Sequence, residues 1–317
     1  PPASGYTAHQ WGLEIHKVTS PQTGVMGLAA DEGKLYVALR FEDAVAVYDR
    51  ESGALLRRIE NVASPRGLDV GTTGRLYVLS EGRLIGMDRT GKGRRTIADG
   101  LTNAWCVAVS PQDIVHVSEH GDRHQVRRFD LDGSELIPIG ERRDAMAGGR
   151  VTPNRLSSPM GIAVDNESNI YVADIGHGRV QRYDHKGNGT LTVMAGGYGG
   201  NNGGVAVMPG EPERFFVSVG TPLGRALRGR ALTEYRLDYD KKTWELASVW
   251  PDITPIFAVE PLFIRKIEGR TYLFLLAKNI AVYELKGDRV EFCTALVCGS
   301  PHGVKQLRGE ELRNDAR

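Results

Sequence analysis

A glycine that opens a short apolar run returns along this chain at steps of 40, 39, 55 and 43 residues. Successive copies read Gly-Leu-Ala-Ala, Gly-Leu-Asp-Val, Cys-Val-Ala-Val, Gly-Ile-Ala-Val and Gly-Val-Ala-Val. We refer to the first position of the run as the glycine slot. Its occupants are Gly27, Gly67, Cys106, Gly161 and Gly204. Recurrence at this spacing indicates a repeat protein, in which one unit buries its apolar face only against the next unit.

A second apolar run follows nine to twelve residues after each slot and carries an aromatic residue or a substitute for one. This position holds Tyr36, Tyr77, His116, Tyr171 and Phe216. A sixth, weaker copy has Tyr272 in its second run and Ile280 at the start of its third. Runs of this length between Gly, Asn and Asp turns are typical of β-strands. His116 is therefore predicted to be a packed core residue.

The fourth copy resembles the NHL repeat, the unit of six-bladed β-propellers. The resemblance rests on Pro159-Met-Gly-Ile-Ala-Val-Asp165, Ile170-Tyr-Val-Ala-Asp174 and Arg179-Val-Gln-Arg-Tyr183, and weaker copies extend it over about residues 25 to 300. It implies an all-β fold, a six-bladed β-propeller of four-stranded antiparallel blades around a central channel. No crossover helix is predicted between the strands, which disfavours a barrel of alternating strands and helices.

The whole chain, residues 1–317, is predicted to form a single β-propeller domain. The repeats are expected at about 25–59, 64–101, 103–142, 157–200, 203–250 and 256–298, with an insertion at 143–156. An N-terminal strand over Trp11–Val18 is expected to close the ring as the outer strand of the last blade. Ser300-Pro-His-Gly resembles Ser158-Pro-Met-Gly, which leaves open a seventh, incomplete blade.

Charge and hydropathy disfavour two classes of partner. The 40 basic residues balance 39 acidic ones, so no overall field attracts nucleic acid. No apolar run reaches the length of about 18 residues that a membrane-spanning helix needs. Three cysteines do not form a disulfide framework. The sequence opens with Pro-Pro-Ala-Ser, like a processed product, and we expect an extracytoplasmic protein, periplasmic or secreted, whose signal peptide is not part of the printed sequence.

The resemblance places the residue before each slot, and the loop between the second and third strands, at one mouth of the channel. The predicted binding residues there are Met26, Arg40, Asp43, Arg66, Trp105, Met160, Asp174 and Asn202. Arg66 and Trp105 stand out because Arg and Trp are enriched in binding hot spots and Trp stacks on sugars. Trp105 has the alternative role of capping the interface between two blades. The pattern predicts a binding module that recognises a protein, a peptide or a glycan.

A lyase or hydrolase is the less favoured alternative. Propellers similar to this one include amidating lyases, streptogramin lyases and gluconolactonases, which usually place His and acidic residues around a divalent cation. The candidate catalytic residues are His120, His177 and Arg66, and the candidate metal ligands are His120, His177 and His302. No cofactor is predicted, and zinc or calcium is the ion that such a site would take. His177 has the alternative role of filling a turn.

Overall fold

The computed structural model of the chain describes residues 24–50, 52–120, 122–142, 151–193, 204–220, 230–251, 262–276, 280–287, 289–300 and 303–307. These residues form six antiparallel sheets, each built from consecutive strands. The innermost strands of all six sheets line one central channel. The predicted six-bladed β-propeller is confirmed. Within the described ranges, no helix is long and apolar enough to cross a lipid bilayer.

The first three blades each take four strands in succession, with the first strand innermost. Blade one consists of β1 (Val25–Ala30), β2 (Lys34–Leu39), β3 (Ala44–Asp49) and β4 (Leu55–Ile59). Blade two consists of β5 (Pro65–Val70), β6 (Leu76–Ser80), β7 (Arg83–Met87) and β8 (Arg95–Ala98). Blade three consists of β9 (Ala104–Val109), β10 (Val115–Glu119), β11 (Gln125–Phe129) and β12 (Glu135–Ile139). A 3₁₀ turn, Arg40–Glu42, lies between β2 and β3.

The last three blades repeat this order, and the last adds a strand. Blade four consists of β13 (Pro159–Val164), β14 (Ile170–Asp174), β15 (Arg179–Tyr183) and β16 (Gly189–Val193). Blade five consists of β17 (Gly204–Met208), β18 (Glu211–Gly220), β19 (Arg230–Asp238) and β20 (Thr243–Pro251). Blade six consists of β21 (Leu262–Ile267), β22 (Arg270–Leu276), β23 (Ile280–Lys286), β24 (Arg289–Ser300) and β25 (Gly303–Leu307). A second 3₁₀ turn, Ile175–His177, lies between β14 and β15.

The two ends of the chain bear on how the ring closes. β25 pairs with the outer edge of β24, so residues 303–307 extend blade six and do not begin a seventh blade. The predicted closing strand over Trp11–Val18 lies outside the described residues. The closure that the structure does describe is made by side chains, since Tyr272 and Phe274 of blade six pack in one cluster with Tyr48 of blade one.

The apolar core lies in the seams between blades. Six clusters of buried side chains occur among the described residues, and each draws on two neighbouring blades. On β1, Leu28 and Ala30 pack toward blade six, whereas Ala29 between them packs toward blade two. A strand that is buried on both faces needs apolar residues at successive positions. This requirement explains why each slot opens a continuous apolar run.

Part of the insertion before blade four is packed into one of these seams. Residues 143–150 lie outside the described residues, but Leu156 is buried between blades three and four. The Tyr183 hydroxyl donates a hydrogen bond to the carbonyl oxygen of Pro153 at 2.6 Å, and Arg179 donates to that of Thr152 at 2.8 Å. The described part of the insertion is therefore held against blade four.

His116 occupies the aromatic position of blade three and is only 2% exposed, so its predicted place in the core is confirmed. Its Nδ1 lies 3.1 Å from the carbonyl oxygen of Ile114, and Arg128 is its partner across β10 and β11. Burial, and after it the positive charge of Arg128, lowers the pKa of His116 to about 4. In the unfolded chain a histidine has a pKa of about 6.5.

This difference makes stability depend on pH. Between pH 6.5 and 4 the unfolded chain binds a proton that the folded chain does not, so acidification lowers the free energy of unfolding by about 1.4 kcal/mol per pH unit from this residue. We expect the urea concentration at the unfolding midpoint to fall less steeply between pH 7 and 4.5 in His116→Phe than in the parent. His185 is exposed, and His185→Phe should keep the slope of the parent. Equal slopes for the parent and His116→Phe would contradict the assignment.

Candidate functional site

One mouth of the channel is formed where the chain turns into each inner strand. Three positions before the slot, four blades have a residue with φ between 43° and 60°: Gly24, Ser64, Asn103 and Ser158. Left-handed backbone of this kind turns the chain sharply. In an antiparallel blade, the start of the first strand lies at the same end as the loop between the second and third strands. Both features therefore meet at this mouth, as the resemblance implied.

Close approach of neighbouring inner strands explains why the slot is glycine. A Cβ on Gly27 would lie 2.0 Å from the carbonyl oxygen of Arg66, and one on Gly67 would lie 2.6 Å from that of Trp105. Contacts this short exclude any side chain. These two slots are thus packed against the residue that precedes the next slot, and this spacing sets Arg66 and Trp105 next to one another at the mouth.

Hydrogen bonds fix the loops around this mouth. The Ser64 amide donates to Asp43 Oδ1 at 2.7 Å, and Arg40 Nε donates to Ser64 Oγ at 3.1 Å. Asp43 itself has a φ of 49° and ends the 3₁₀ turn of blade one. The predicted binding residues Arg40 and Asp43 therefore hold the start of blade two in place.

Asp174 does the same for blade four and is fully buried. Its Oδ1 accepts a hydrogen bond from the Ser157 amide at 2.6 Å. Its Oδ2 accepts one from Arg179 Nε at 2.7 Å and lies 2.8 Å from His177 Nδ1. Both oxygens are thus occupied by contacts inside the protein, and an external ligand would have to displace one of them to reach this carboxylate.

The mouth platform consists of Arg40, Phe41, Arg66, Trp105 and His120. The guanidinium carbon of Arg66 lies 5.4 Å from the centre of the Trp105 ring. The Trp105 and His120 ring centres are 5.8 Å apart with an interplanar angle of 60°. Arg40 lies 5.9 Å from the ring centre of Phe41, which is 68% exposed. The predicted pair of Arg66 and Trp105 is in contact, and the contact continues onto His120.

The platform concentrates positive charge. Arg66 makes no ion pair or hydrogen bond with any residue in the described ranges, and burial together with the charge of Arg40 lowers its pKa. Burial, followed by the charge of Arg66, also lowers the pKa of His120. The His120 imidazole is therefore neutral at neutral pH. The Arg66 guanidinium beside the Trp105 ring, with the charge of Arg40 nearby, favours an anionic group that has an apolar or aromatic neighbour.

The structure does not show the two predicted histidines in contact with each other. His120 packs on Trp105, and His177 contacts Asp174. In the part of the chain that the structure describes, no three His, Cys, Asp or Glu side chains are grouped closely enough to hold a metal ion. His302 and Asn202 lie outside the described residues.

Met26 and Met160 are the remaining predicted binding residues. Both are half-buried at the start of their inner strands, β1 and β13. Met26 also lines the central channel. They therefore add apolar surface close to the channel, and their part in binding stays a prediction.

Glu119 is a mouth residue that sequence reasoning missed. It ends β10, is fully buried, accepts a hydrogen bond from Thr102 Oγ1 at 3.1 Å and lies 3.5 Å from Arg123 Nε. Burial raises the pKa of this carboxyl group. Glu119 holds the position in blade three that Asp174 holds in blade four. Alignment of the two blades on the last residue of the second strand would have identified it.

No family model and no curated protein matches the sequence. Solved structures do match the fold. A catalytically inactive virginiamycin B lyase from Staphylococcus aureus, with quinupristin, has a TM-score of 0.57 and 14% identity, covering 84% of this chain and 82% of that one. A streptogramin B lyase structure has a TM-score of 0.56 and 11% identity, covering 86% and 83%. A chain in a nidogen/laminin complex has a TM-score of 0.53 and 15% identity, covering 74% and 83%. Identities this low establish the propeller fold alone.

The platform geometry can be tested through the titration of His120. Because the charge of Arg66 lowers the pKa of His120, we expect Arg66→Gln to raise that pKa, while burial keeps it below the value of a free histidine. NMR titration of the imidazole carbons measures this directly. Arg289 is an exposed arginine at the start of β24 in blade six, at the other end of the blade from the mouth, and Arg289→Gln should leave the His120 titration unchanged. An unchanged pKa in Arg66→Gln would mean that the two side chains are not neighbours in solution.

Proposed function

We propose that this chain is an NHL-type propeller binding module whose mouth platform recognises a protein or peptide through an acidic side chain next to an apolar or aromatic one. The observation that carries the proposal is Arg66, which lies 5.4 Å from the ring centre of Trp105 and has no acidic partner among the described residues. A carboxylate from a partner supplies the charge that the guanidinium lacks. The Trp105 and Phe41 rings supply apolar contact area for the neighbouring side chain.

Energetic considerations support binding at this place. Hot spots of protein interfaces are enriched in Trp and Arg and form where water is excluded around them. Arg66 is already partly desolvated by burial, which lowers its pKa, so part of the desolvation cost is met by folding rather than by binding. Hydrogen bonds fix the loop of Arg40 and Asp43 before any partner arrives. A preorganised surface of this kind loses little conformational entropy on association.

The positive charge at the mouth favours an acidic peptide over a neutral glycan as the partner. A neutral glycan would use the Trp105 ring but would leave the positive charge of Arg66 and Arg40 unmatched, whereas an acidic peptide uses both. A structure with the same fold is a chain in a nidogen/laminin complex, which supports a protein as the partner. An extracytoplasmic location, periplasmic or secreted, is part of the proposal.

Defined peptides test the proposal. The probe is the capped hexapeptide Gly-Ser-Glu-Phe-Ser-Gly, with Gln-Phe and Glu-Ala versions as matched probes, and binding is measured by surface plasmon resonance on the immobilised propeller. We expect the Glu-Phe peptide to bind most tightly. Arg66→Gln and Trp105→Ala should each weaken it at least about tenfold, equivalent to about 1.4 kcal/mol.

The control variants carry the same types of substitution, Arg→Gln and Trp→Ala, at residues that lie away from the mouth. Arg289→Gln changes an exposed arginine at the start of β24 in blade six, and Trp244→Ala changes a tryptophan on the outer strand of blade five that is 36% exposed. Both variants should bind like the parent. Equal affinity for the Glu-Phe and Gln-Phe peptides would refute recognition of an anion. A uronic-acid oligosaccharide that binds where the peptides do not would make a glycan the partner.

Enzymatic activity is the second candidate, and a specific contact favours it. His177 Nδ1 lies 2.8 Å from the buried carboxylate of Asp174, and its side chain is 15% exposed. A carboxylate at one ring nitrogen orients the imidazole and leaves the other nitrogen to act as a general base. Structures of the same fold include a virginiamycin B lyase and a streptogramin B lyase.

An assay for conversion of quinupristin distinguishes a binding module from a lyase. Asp174 Oδ2 is shared between His177 and Arg179, so its charge is partly compensated and supports His177 less as a base. We therefore expect no conversion of quinupristin by the purified protein, followed by liquid chromatography. Zinc and calcium measured by plasma mass spectrometry should stay well below one equivalent. Conversion that is lost in His177→Gln and kept in His185→Gln, an exposed control, would instead make the chain a lyase.

A further inference from the structure

The central channel holds a cavity of about 450 Å³. Its walls come from the inner strands of all six blades, and the half-buried apolar side chains among the lining residues include Val70, Val109, Ala163, Val164 and Phe263. Small-molecule sites in proteins have volumes of about 300–1,000 Å³ and mostly apolar walls, with a few polar groups that orient the ligand. The size and the wall chemistry of this cavity fall within that description.

One ion pair crosses the channel. Arg265 of blade six reaches past blade one to Asp69 of blade two, where its terminal nitrogen lies 2.7 Å from Oδ1. Asp69 stands two positions after its slot, and Arg265 stands three after Leu262, the slot residue of blade six. Trp105 at the mouth lies one position before its slot, and Thr72 at the other end lies five after its slot. At about 3.3 Å per residue, the ion pair lies near the middle of the channel.

The two partners differ in how fully their hydrogen-bonding groups are used. Asp69 Oδ1 accepts from the Val70 amide at 2.8 Å as well as from Arg265, and Oδ2 accepts from the Val109 amide at 2.9 Å. Arg265 donates to Asp69 and, at 3.2 Å, to the Ile264 carbonyl oxygen. A guanidinium group has five N–H donors. Some N–H groups of Arg265 therefore have no acceptor among the described residues. Because the side chain lines the cavity, these groups are accessible to a ligand there.

Neighbouring residues make this position suited to an anionic head group. The Arg265 guanidinium carbon lies 5.2 Å from the centre of the Phe263 ring, which adds an aromatic surface beside it. Lys266, the next residue, is exposed at the channel wall and forms no ion pair within the described ranges. The Asp165 carboxylate also lines the channel, but it accepts hydrogen bonds from the amides of Glu167 and Asn169 in its own loop. The groups left for a ligand are cationic.

We infer that the channel is a second ligand site, separate from the mouth platform, for a small molecule with an apolar body and one carboxylate. The apolar body lies against the half-buried apolar side chains of the channel, and the carboxylate binds the N–H groups of Arg265 that Asp69 leaves unused. Asp69 has a positioning role, since it holds the guanidinium across the channel. The site does not depend on the proposed recognition of peptides at the mouth.

The first test uses two fluorescent probes that differ mainly in charge. 8-Anilinonaphthalene-1-sulfonate carries an anionic group on an apolar body, and N-phenyl-1-naphthylamine is its neutral counterpart. We expect one equivalent of the anionic probe to bind, with affinity reduced at least about tenfold in Arg265→Gln and partly kept in Arg265→Lys. The neutral probe should bind both variants about as it binds the parent. Arg289→Gln is the matched control and should change neither titration, because Arg289 is exposed on β24 and does not line the channel.

A competition experiment checks the ligand class. Octanoate should displace the anionic probe at lower concentration than octanol does, because both have the same apolar chain and only octanoate has the carboxylate. Arg265→Gln should remove this difference. Equal competition by the two compounds in the parent would overturn the anionic half of the inference, and no competition by either would overturn the site.

The channel location is checked through Cys106, which lines the cavity and is not in a disulfide. In a Cys293→Ser, Cys298→Ser background Cys106 is the one cysteine left, so iodoacetamide labelling followed by mass spectrometry reports on it alone. Octanoate at a concentration that saturates the site should slow this labelling at least about fivefold, because iodoacetamide reaches Cys106 only in molecules whose channel is empty. Unchanged labelling would place the probe elsewhere on the protein. This readout needs no change at Arg265, so it holds even where Arg265→Gln fails to fold.

Discussion

Burial of both faces of every blade against its neighbours is the constraint on which this structure depends. A single four-stranded sheet would expose the side chains that fill the seams on each side of it, so blades are stable only within the ring. At each seam an arginine links two neighbouring blades. The contact involves the turn between the third and fourth strands of the second of these blades. These seam arginines are Arg50, Arg57, Arg95, Arg128, Arg182 and Arg214. Arg128 illustrates the arrangement, with donors 2.5 Å and 3.0 Å from the carbonyl oxygens of His185 and Lys186.

The seams also determine what the mouth can present. Neighbouring inner strands approach so closely that the carbonyl oxygen of Arg66 lies where a Cβ on Gly27 would be. The side chains that precede the slots are consequently brought together from different blades, and Arg66 reaches the Trp105 ring. A contact between residues 39 positions apart in sequence thus follows from packing that has no connection with binding. Substitutions at these side chains can alter the ligand while the seam below them stays the same.

Contacts that follow from the repeat register were predictable from the sequence, whereas contacts that depend on how individual loops fold were not. The glycine slots and the aromatic positions predicted the blades because continuous apolar runs and tight turns are local properties of the sequence. The proximity of Arg66 to Trp105 followed from the repeat register. The packing of His120 on Trp105 did not, because it depends on how loops of one blade fold over the slot. The internal role of Asp174 was missed for a similar reason, since its partner Ser157 belongs to the connection that precedes the blade. Glu119 was missed because its blade has a longer loop.

Arg265 in the channel and Arg66 at the mouth differ in how their charge is compensated by described residues. Arg265 is held by Asp69, so its charge is largely compensated in the absence of a ligand. Arg66 has no such partner, and burial with the charge of Arg40 lowers its pKa. A desolvated, uncompensated guanidinium destabilises the folded state, and that free energy is recovered when an anion binds. A guanidinium group does not exchange protons near neutral pH, and the neighbouring His120 is held neutral there. The mouth therefore keeps a fixed positive charge beside the Trp105 ring throughout the physiological pH range.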